Sequence, residues 1–193
     1  MKWLACAAAL ALAACAQGFA RPAPEVLRLG VTTQAEVIQR LGAPTVRETL
    51  ERNGQPITFL AYVYTSESER NHGDHGVIAA RTLNLFFHQD RLVGHEFRSS
   101  AASDHTDFDP RKARSIVKGR STRAEVEQLL GRPSGLLTYP VVAAPLGEAL
   151  VYGYTQQRRI PFGQPIRFTK SLLVTFDPGG VVNGAFYETT GTP

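Results

Sequence analysis

The sequence states one segment twice, and that duplication limits the folds open to it. Gly30 to Pro44 aligns with Gly119 to Pro133 at an offset of 89 residues (119 − 30). The matches include Thr33/Thr122, Ala35/Ala124, Glu36/Glu125, Val37/Val126, Gln39/Gln128, Leu41/Leu130 and Gly42/Gly131. Tyr62-Val63-Tyr64-Thr65 then matches Tyr152-Gly153-Tyr154-Thr155 at an offset of 90 (152 − 62), and Leu83, Leu85, Phe87 and Phe97 match Leu172, Val174, Phe176 and Phe186 at 89 again. An offset that returns after a one-residue slip marks a duplicated unit. The 193 residues therefore divide into two small modules.

Each copy reads as the same short program. Thr33 with Glu36, and Thr122 with Glu125, form capping boxes that start a helix. Ala35, Ile38 and Leu41, widened by Val37, supply its apolar stripe. Gly42 and Gly131 suit a left-handed closing residue, and Pro44 and Pro133 prevent resumption. Helices this short must dock on something. An earlier helix is expected over 111–118, with Asp109 as N-cap and Pro110 in the first position, and a shorter counterpart over 24–29. Strands are expected over 57–65, 81–88 and 91–98, and over 149–155, 171–176 and 181–188, with hairpin turns at Gln89-Asp90 and Asp177–Gly180. The order helix, helix, three strands, twice over, predicts an α+β fold: two tandem modules, each two short helices packed on a three-stranded antiparallel sheet. The modules span 25–98 and 109–190. The polar stretch 99–108 reads as a linker, and 66–76 and 156–165 as polar loops.

The N-terminus predicts export. Met1-Lys2 is followed by an apolar run over 3–14, too short to span a bilayer and typical of a signal peptide. The run ends Leu12-Ala13-Ala14-Cys15, which resembles a bacterial lipobox: 1–14 would be removed, and Cys15 would carry membrane lipid at the end of a tether over 15–24. With Cys6 inside the signal peptide, Cys15 is the one cysteine left, so no disulfide is expected. Ala16 after the cysteine points to the outer membrane, facing the periplasm. Cleavage after Ala20 is the alternative and would leave a free periplasmic protein. A net charge of +4 is weak information about partners, and an exported chain argues against nucleic acid.

Gly-x-Thr-x-x-x-Val-x-x-x-Leu-Gly-x-Pro, then Tyr-x-Tyr, then a hairpin ending Phe-Asp-x-x-Gly-x-Val, resembles the SmpA/OmlA (BamE-like) lipoprotein family, which includes a small subunit of the outer-membrane β-barrel assembly machinery. The second copy carries the pattern on Gly119, Ser121, Val126, Leu130, Gly131, Pro133, Tyr152, Tyr154, Phe176, Asp177, Gly180 and Val182. The first copy departs at the hairpin, with His88 and Arg91 in place of the aspartate and glycine. The tandem arrangement is similar to secreted β-lactamase inhibitor proteins, which clamp a target against a concave sheet. The resemblance implies a lipid anchor, this fold and an envelope protein partner. It supplies no binding residues.

Few residues suggest chemistry. His72-Gly73-Asp74-His75 could offer ligands to a metal, but the second copy has no counterpart, and a solvated loop is the expectation. His88, His95 and His105 are expected at the surface. Glu36 and Glu125 could suggest acid/base chemistry, and capping accounts for both. Nucleophile elbows and phosphate loops are missing from the sequence, so neither an enzyme nor a cofactor is expected. Arg111, Lys112 and Arg114, within a basic stretch reaching Arg123, could meet anionic lipid or peptidoglycan. Arg158, Arg159 and Phe162 suggest a basic-aromatic loop tip suited to recognition. The expected function is a non-enzymatic envelope lipoprotein that binds protein in outer-membrane assembly or integrity. The alternatives are an inhibitor-like module for a periplasmic enzyme, or a binder of anionic lipid or peptidoglycan.

Overall fold

The computed structural model describes residues 19–72, 76–143, 147–160 and 163–191. The lipobox and Cys15, and Gly73 to His75 of the histidine loop, lie outside the described residues. The chain runs β1 (Val46–Arg52), β2 (Gln55–Ser66), β3 (Val77–His88), β4 (Arg91–Ser99), β5 (Gly135–Thr138), β6 (Glu148–Arg158), β7 (Ile166–Phe176) and β8 (Val182–Thr190). Helices α1 (Gln34–Leu41) and α3 (Arg123–Leu130) precede the strands of each half, and α2 (Pro110–Ala113) is a single turn.

The structure corrects the expected α+β class: the fold is mostly β. Each module has one real helix, because the expected partners collapse to the turn of α2 and a 3₁₀ turn at Pro24–Val26. Pro24 and Pro110 start these turns, and neither is followed by enough apolar spacing to extend it. Among the described residues, each module also has four strands rather than three. The eight form one antiparallel sheet in sequence order. The additional strands are β1, exposed along nearly its whole length, and β5, only four residues long.

The two halves are fused rather than beaded. β4 pairs with β5 through Gly94/Leu137, His95/Leu136 and Glu96/Gly135. At the other end β3 pairs with β6 through Val77/Arg158 and Ile78/Gln157. Those two pairings, with β3–β4 and β5–β6, close β3, β4, β5 and β6 into a four-stranded ring, which removes free edges from the centre of the sheet. Gly135 permits the closure: a Cβ there would lie 2.2 Å from the His95 carbonyl oxygen and 2.8 Å from the Glu96 Cα.

Both helices dock on the same face of the sheet. Their capping boxes form as the sequence predicts, on Thr33/Glu36 and Thr122/Glu125. Val37 and Val126 are the side chains each helix buries. Alternation along the strands sends Leu60, Tyr62, Leu83, Leu85 and Phe87 to this face in the first module. Leu150, Tyr152, Leu172, Val174 and Phe176 do the same in the second. Gly42 and Gly131 close the helices at φ 79° and 80° but with ψ near −160°. That is a mirror-extended conformation reserved for glycine rather than the left-handed cap expected.

The shared motif residues are structural and perform the same task in each half. The Tyr62 hydroxyl donates to the Gly42 carbonyl at 3.0 Å and the Tyr152 hydroxyl to the Gly131 carbonyl at 3.2 Å. Gly30 N–H donates to Leu92 and Gly119 N–H to Val182, locking each lead-in segment to its hairpin. Arg81, which is buried, and Lys170, which is half-buried, are equivalent cations (170 − 81 = 89), and each lies over the second tyrosine of the pair, Tyr64 or Tyr154. Burial of a cation needs a counter-charge. The stretch expected as a linker supplies both: Asp104 lies 2.9 Å from Arg81 and Asp107 2.6 Å from Lys170. Thr106, between them, donates its hydroxyl to the Gly153 carbonyl at 2.7 Å. The segment 99–108, expected as a linker, is thus a strap tied into both modules.

Candidate functional site

Among the described residues, no helix covers the second face of the sheet. Here the alternate residues of the strands present Val63 and Thr65, Thr82 and Asn84, Thr155 and Gln157, and Arg167 and Thr169. They line a groove of about 250 Å³ that crosses from β2 of one module to β7 of the other. Arg98 of β4 lies in its floor. Its guanidinium Nε donates to Glu96 Oε1 at 2.6 Å, and Asn84 Nδ2 approaches the other oxygen of the same carboxylate at 3.4 Å. The Glu96 side chain is 8% exposed and that of Arg98 21%. This ion pair therefore faces the groove with its guanidinium and the interior with its carboxylate.

Gly153 positions the pair. It sits mid-strand in β6, and a Cβ there would lie 2.3 Å from Glu96 Oε1 and 2.7 Å from Arg98 Nε. The missing side chain leaves the space the ion pair occupies, the usual meaning of an isolated glycine in a strand. Beyond the groove, on the same face of β8, Phe186 pairs with Leu173 and is 60% exposed. The hydroxyls, amides and guanidinia offer donors and acceptors. Among the described residues no group of three His, Cys, Asp or Glu side chains is placed to hold a metal ion.

The residues singled out in the sequence lie elsewhere. Arg111, Lys112 and Arg114 sit on or beside α2, on the helix side, and all three are exposed. Arg111 is engaged by Asp109 at 2.9 Å. That hydrogen bond, with the Arg111 amide, lowers the Asp109 carboxyl to a pKa of about 2. The expected loop tip divides: Arg158 is half-buried as the last residue of β6 and Arg159 is exposed and ion-paired with Glu67, while Phe162 lies outside the described residues. None of the described candidates lines the groove. His95, expected at the surface, is instead largely enclosed between the modules, and burial beside Arg21 and Arg132 lowers its pKa to about 4. His105 is exposed and stacks on His72 at 3.5 Å.

Sequence reasoning missed Glu96, Arg98 and Gly153. The signal available was Gly153, a glycine set where the first copy has Val63.

Comparison with known proteins adds little. No family model matches the chain, and no curated protein does. A solved structure from Streptococcus mutans is similar. It is described as a “putative beta-lactamase inhibitor protein” and shares 11% identity over 81% of this chain and 82% of that one, with a TM-score of 0.41. A likeness of that strength bears on neither activity nor partner. The resemblance to the SmpA/OmlA family stands on the motif residues alone.

Proposed function

We propose that this chain is a non-enzymatic envelope lipoprotein, anchored through Cys15, that binds another protein across the open face of its sheet. The observation that supports the reading is the groove shared by both modules, with the Glu96–Arg98 pair at it and the exposed Phe186 farther along the same face. A bare sheet face of this kind takes a partner's loop, whose backbone can use the threonine, asparagine and glutamine side chains and whose acids can meet Arg98 and Arg167. The aromatic supplies the anchor around which such contacts concentrate binding energy. A role in outer-membrane assembly or integrity is the more specific form of the proposal. The inhibitor-like alternative uses the same groove with an enzyme as the partner.

A photo-crosslinking residue in place of Thr82, expressed in the native envelope, tests it. The expected result is one dominant adduct, lost on Phe186→Asp, whose identity separates an assembly component from a hydrolase. No adduct at Thr82, Asn84 or Gln157, with the protein folded and exported, would refute protein binding at this face. Intact-mass measurement of the extracted protein beside Cys15→Ala tests the anchor: acyl mass on Cys15, absent in the variant, is expected.

A further inference from the structure

On the helix side of the sheet, a pocket of about 490 Å³ opens between the modules, a size common among small-molecule sites. Its walls come from both halves. Leu27 and Leu29 belong to the lead-in of the first module, Leu136 and Leu150 to the second, and Phe97 closes the end. Leu27, Phe97 and Leu150 are buried members of the two cores, so these walls are held in place by packing that exists without a ligand.

The mouth is positively charged. Arg21, Arg123 and Arg132 line it, together with His95. Arg123 is held by Glu127 and Glu148. Arg21 bonds to the Pro133 carbonyl and lies over the Phe97 ring at 5.8 Å. Arg132 is exposed. Among the described residues lining the pocket there is no carboxylate. Burial and the nearby Arg132 charge lower the Arg21 guanidinium to about 10, with Asp104 acting in the opposite direction. Burial and both arginines keep His95 uncharged at neutral pH. The Arg21 and Arg132 charges disfavour one another, and an anion seated between them would relieve that cost. Anionic head and apolar walls together define a ligand with one charge at one end.

We propose that this pocket binds the carboxylate of a fatty acid, with the head group at Arg21 and Arg132 and the aliphatic tail between Leu27 and Leu29 on one side and Leu136 and Leu150 on the other. A guanidinium suits a carboxylate geometrically, and the tail removes apolar wall from water. The site lies on the opposite face from the groove and does not rest on the protein-binding reading.

Titration calorimetry of the purified full chain with decanoate is the test, with decyltrimethylammonium as the cationic counterpart of equal chain length. Saturable binding of decanoate at one site is expected, with no binding of the cation. Arg132→Ala, a change at an exposed side chain, should weaken decanoate about tenfold, as loss of one charge-assisted contact does. Leu136→Glu, checked for folding by circular dichroism, should abolish it. Absence of decanoate binding, equal binding of the two amphiphiles, or unchanged affinity in folded Arg132→Ala and Leu136→Glu would overturn the proposal.

Discussion

Gly135→Ala should cost far more than an alanine in a strand normally does. The added Cβ would lie 2.2 Å from the His95 carbonyl oxygen, 2.8 Å from the Glu96 Cα and 3.0 Å from its Cβ. Backbone cannot rotate aside as a side-chain tip can, so relief requires β4 and β5 to part by at least about 0.8 Å, which opens the contact to 3.0 Å. That pairing is only three residue pairs long. Overpacking costs about 1–3 kcal/mol, and loss of two or so ladder hydrogen bonds adds about 1 kcal/mol each. The expected penalty is about 3–5 kcal/mol, a large share of the roughly 5–15 kcal/mol that holds a domain together. In urea denaturation followed by circular dichroism, the midpoint should fall by about 2 M. Gly163→Ala is the control, because a Cβ there meets Ile160 at an ordinary 3.6 Å. It should change stability by no more than about 0.5 kcal/mol. If Gly135→Ala unfolds at the same urea concentration as Gly163→Ala, the closed ring is not a source of stability.

Thr33→Ala and Thr122→Ala should each destabilise by about 1 kcal/mol in urea melts, and the two effects should add, because the capping boxes occupy separate helices. Asp104→Asn should cost roughly 2 kcal/mol by the same measurement, since it removes the charge from one partner of a buried arginine that keeps Glu69. His95 sets a pH dependence: its pKa falls from 6.5 unfolded to about 4 folded. The unfolded chain therefore binds the proton first as pH drops. The stabilisation is complete above pH 6.5 and is lost between 6.5 and about 4, by up to about 3 kcal/mol. His95→Gln should flatten that part of the stability profile, and an unchanged slope would refute the assignment. Phe186→Asp should leave the stability measured in urea within about 0.5 kcal/mol of the parent while abolishing the Thr82 adduct.

The duplication made much of the fold readable. Capping boxes, hairpin turns and the pairs of core strands are local patterns, and each appears where its residues place it. β1 was hidden by Arg47, Glu48, Glu51 and Arg52, because an edge strand exposed on both faces shows no apolar alternation. Asn53-Gly54, with φ of 49° and 71°, carried the turn signal that would have revealed it. β5 is too short to announce itself, and ring closure depends on partners far away in sequence. The strap's ties were hidden for a related reason. Asp104 and Asp107 look unpartnered until long-range strand pairing brings Arg81 and Lys170 to them. The groove was the least legible part, since Glu96, Arg98, Asn84 and Gly153 meet only after the strands register. Charge runs drew attention to Arg111 and Arg114 instead, which are prominent in sequence but exposed on the other side.

The first described residues bear on how the protein would stand at a membrane if Cys15 carries the lipid proposed above. Phe19 packs edge-on against Phe97, and the Arg21 amide lies 3.3 Å from an Asp104 carboxylate oxygen. The chain is thus fastened on the helix side only four residues after Cys15 (19 − 15), a reach of about 14 Å when fully extended. For a protein lipidated at Cys15, so short a leash presents the helix side to the bilayer and turns the bare sheet outward into the periplasm. The pocket mouth would then look onto lipid while the groove looks onto soluble and integral partners, and one small chain would meet both phases at once.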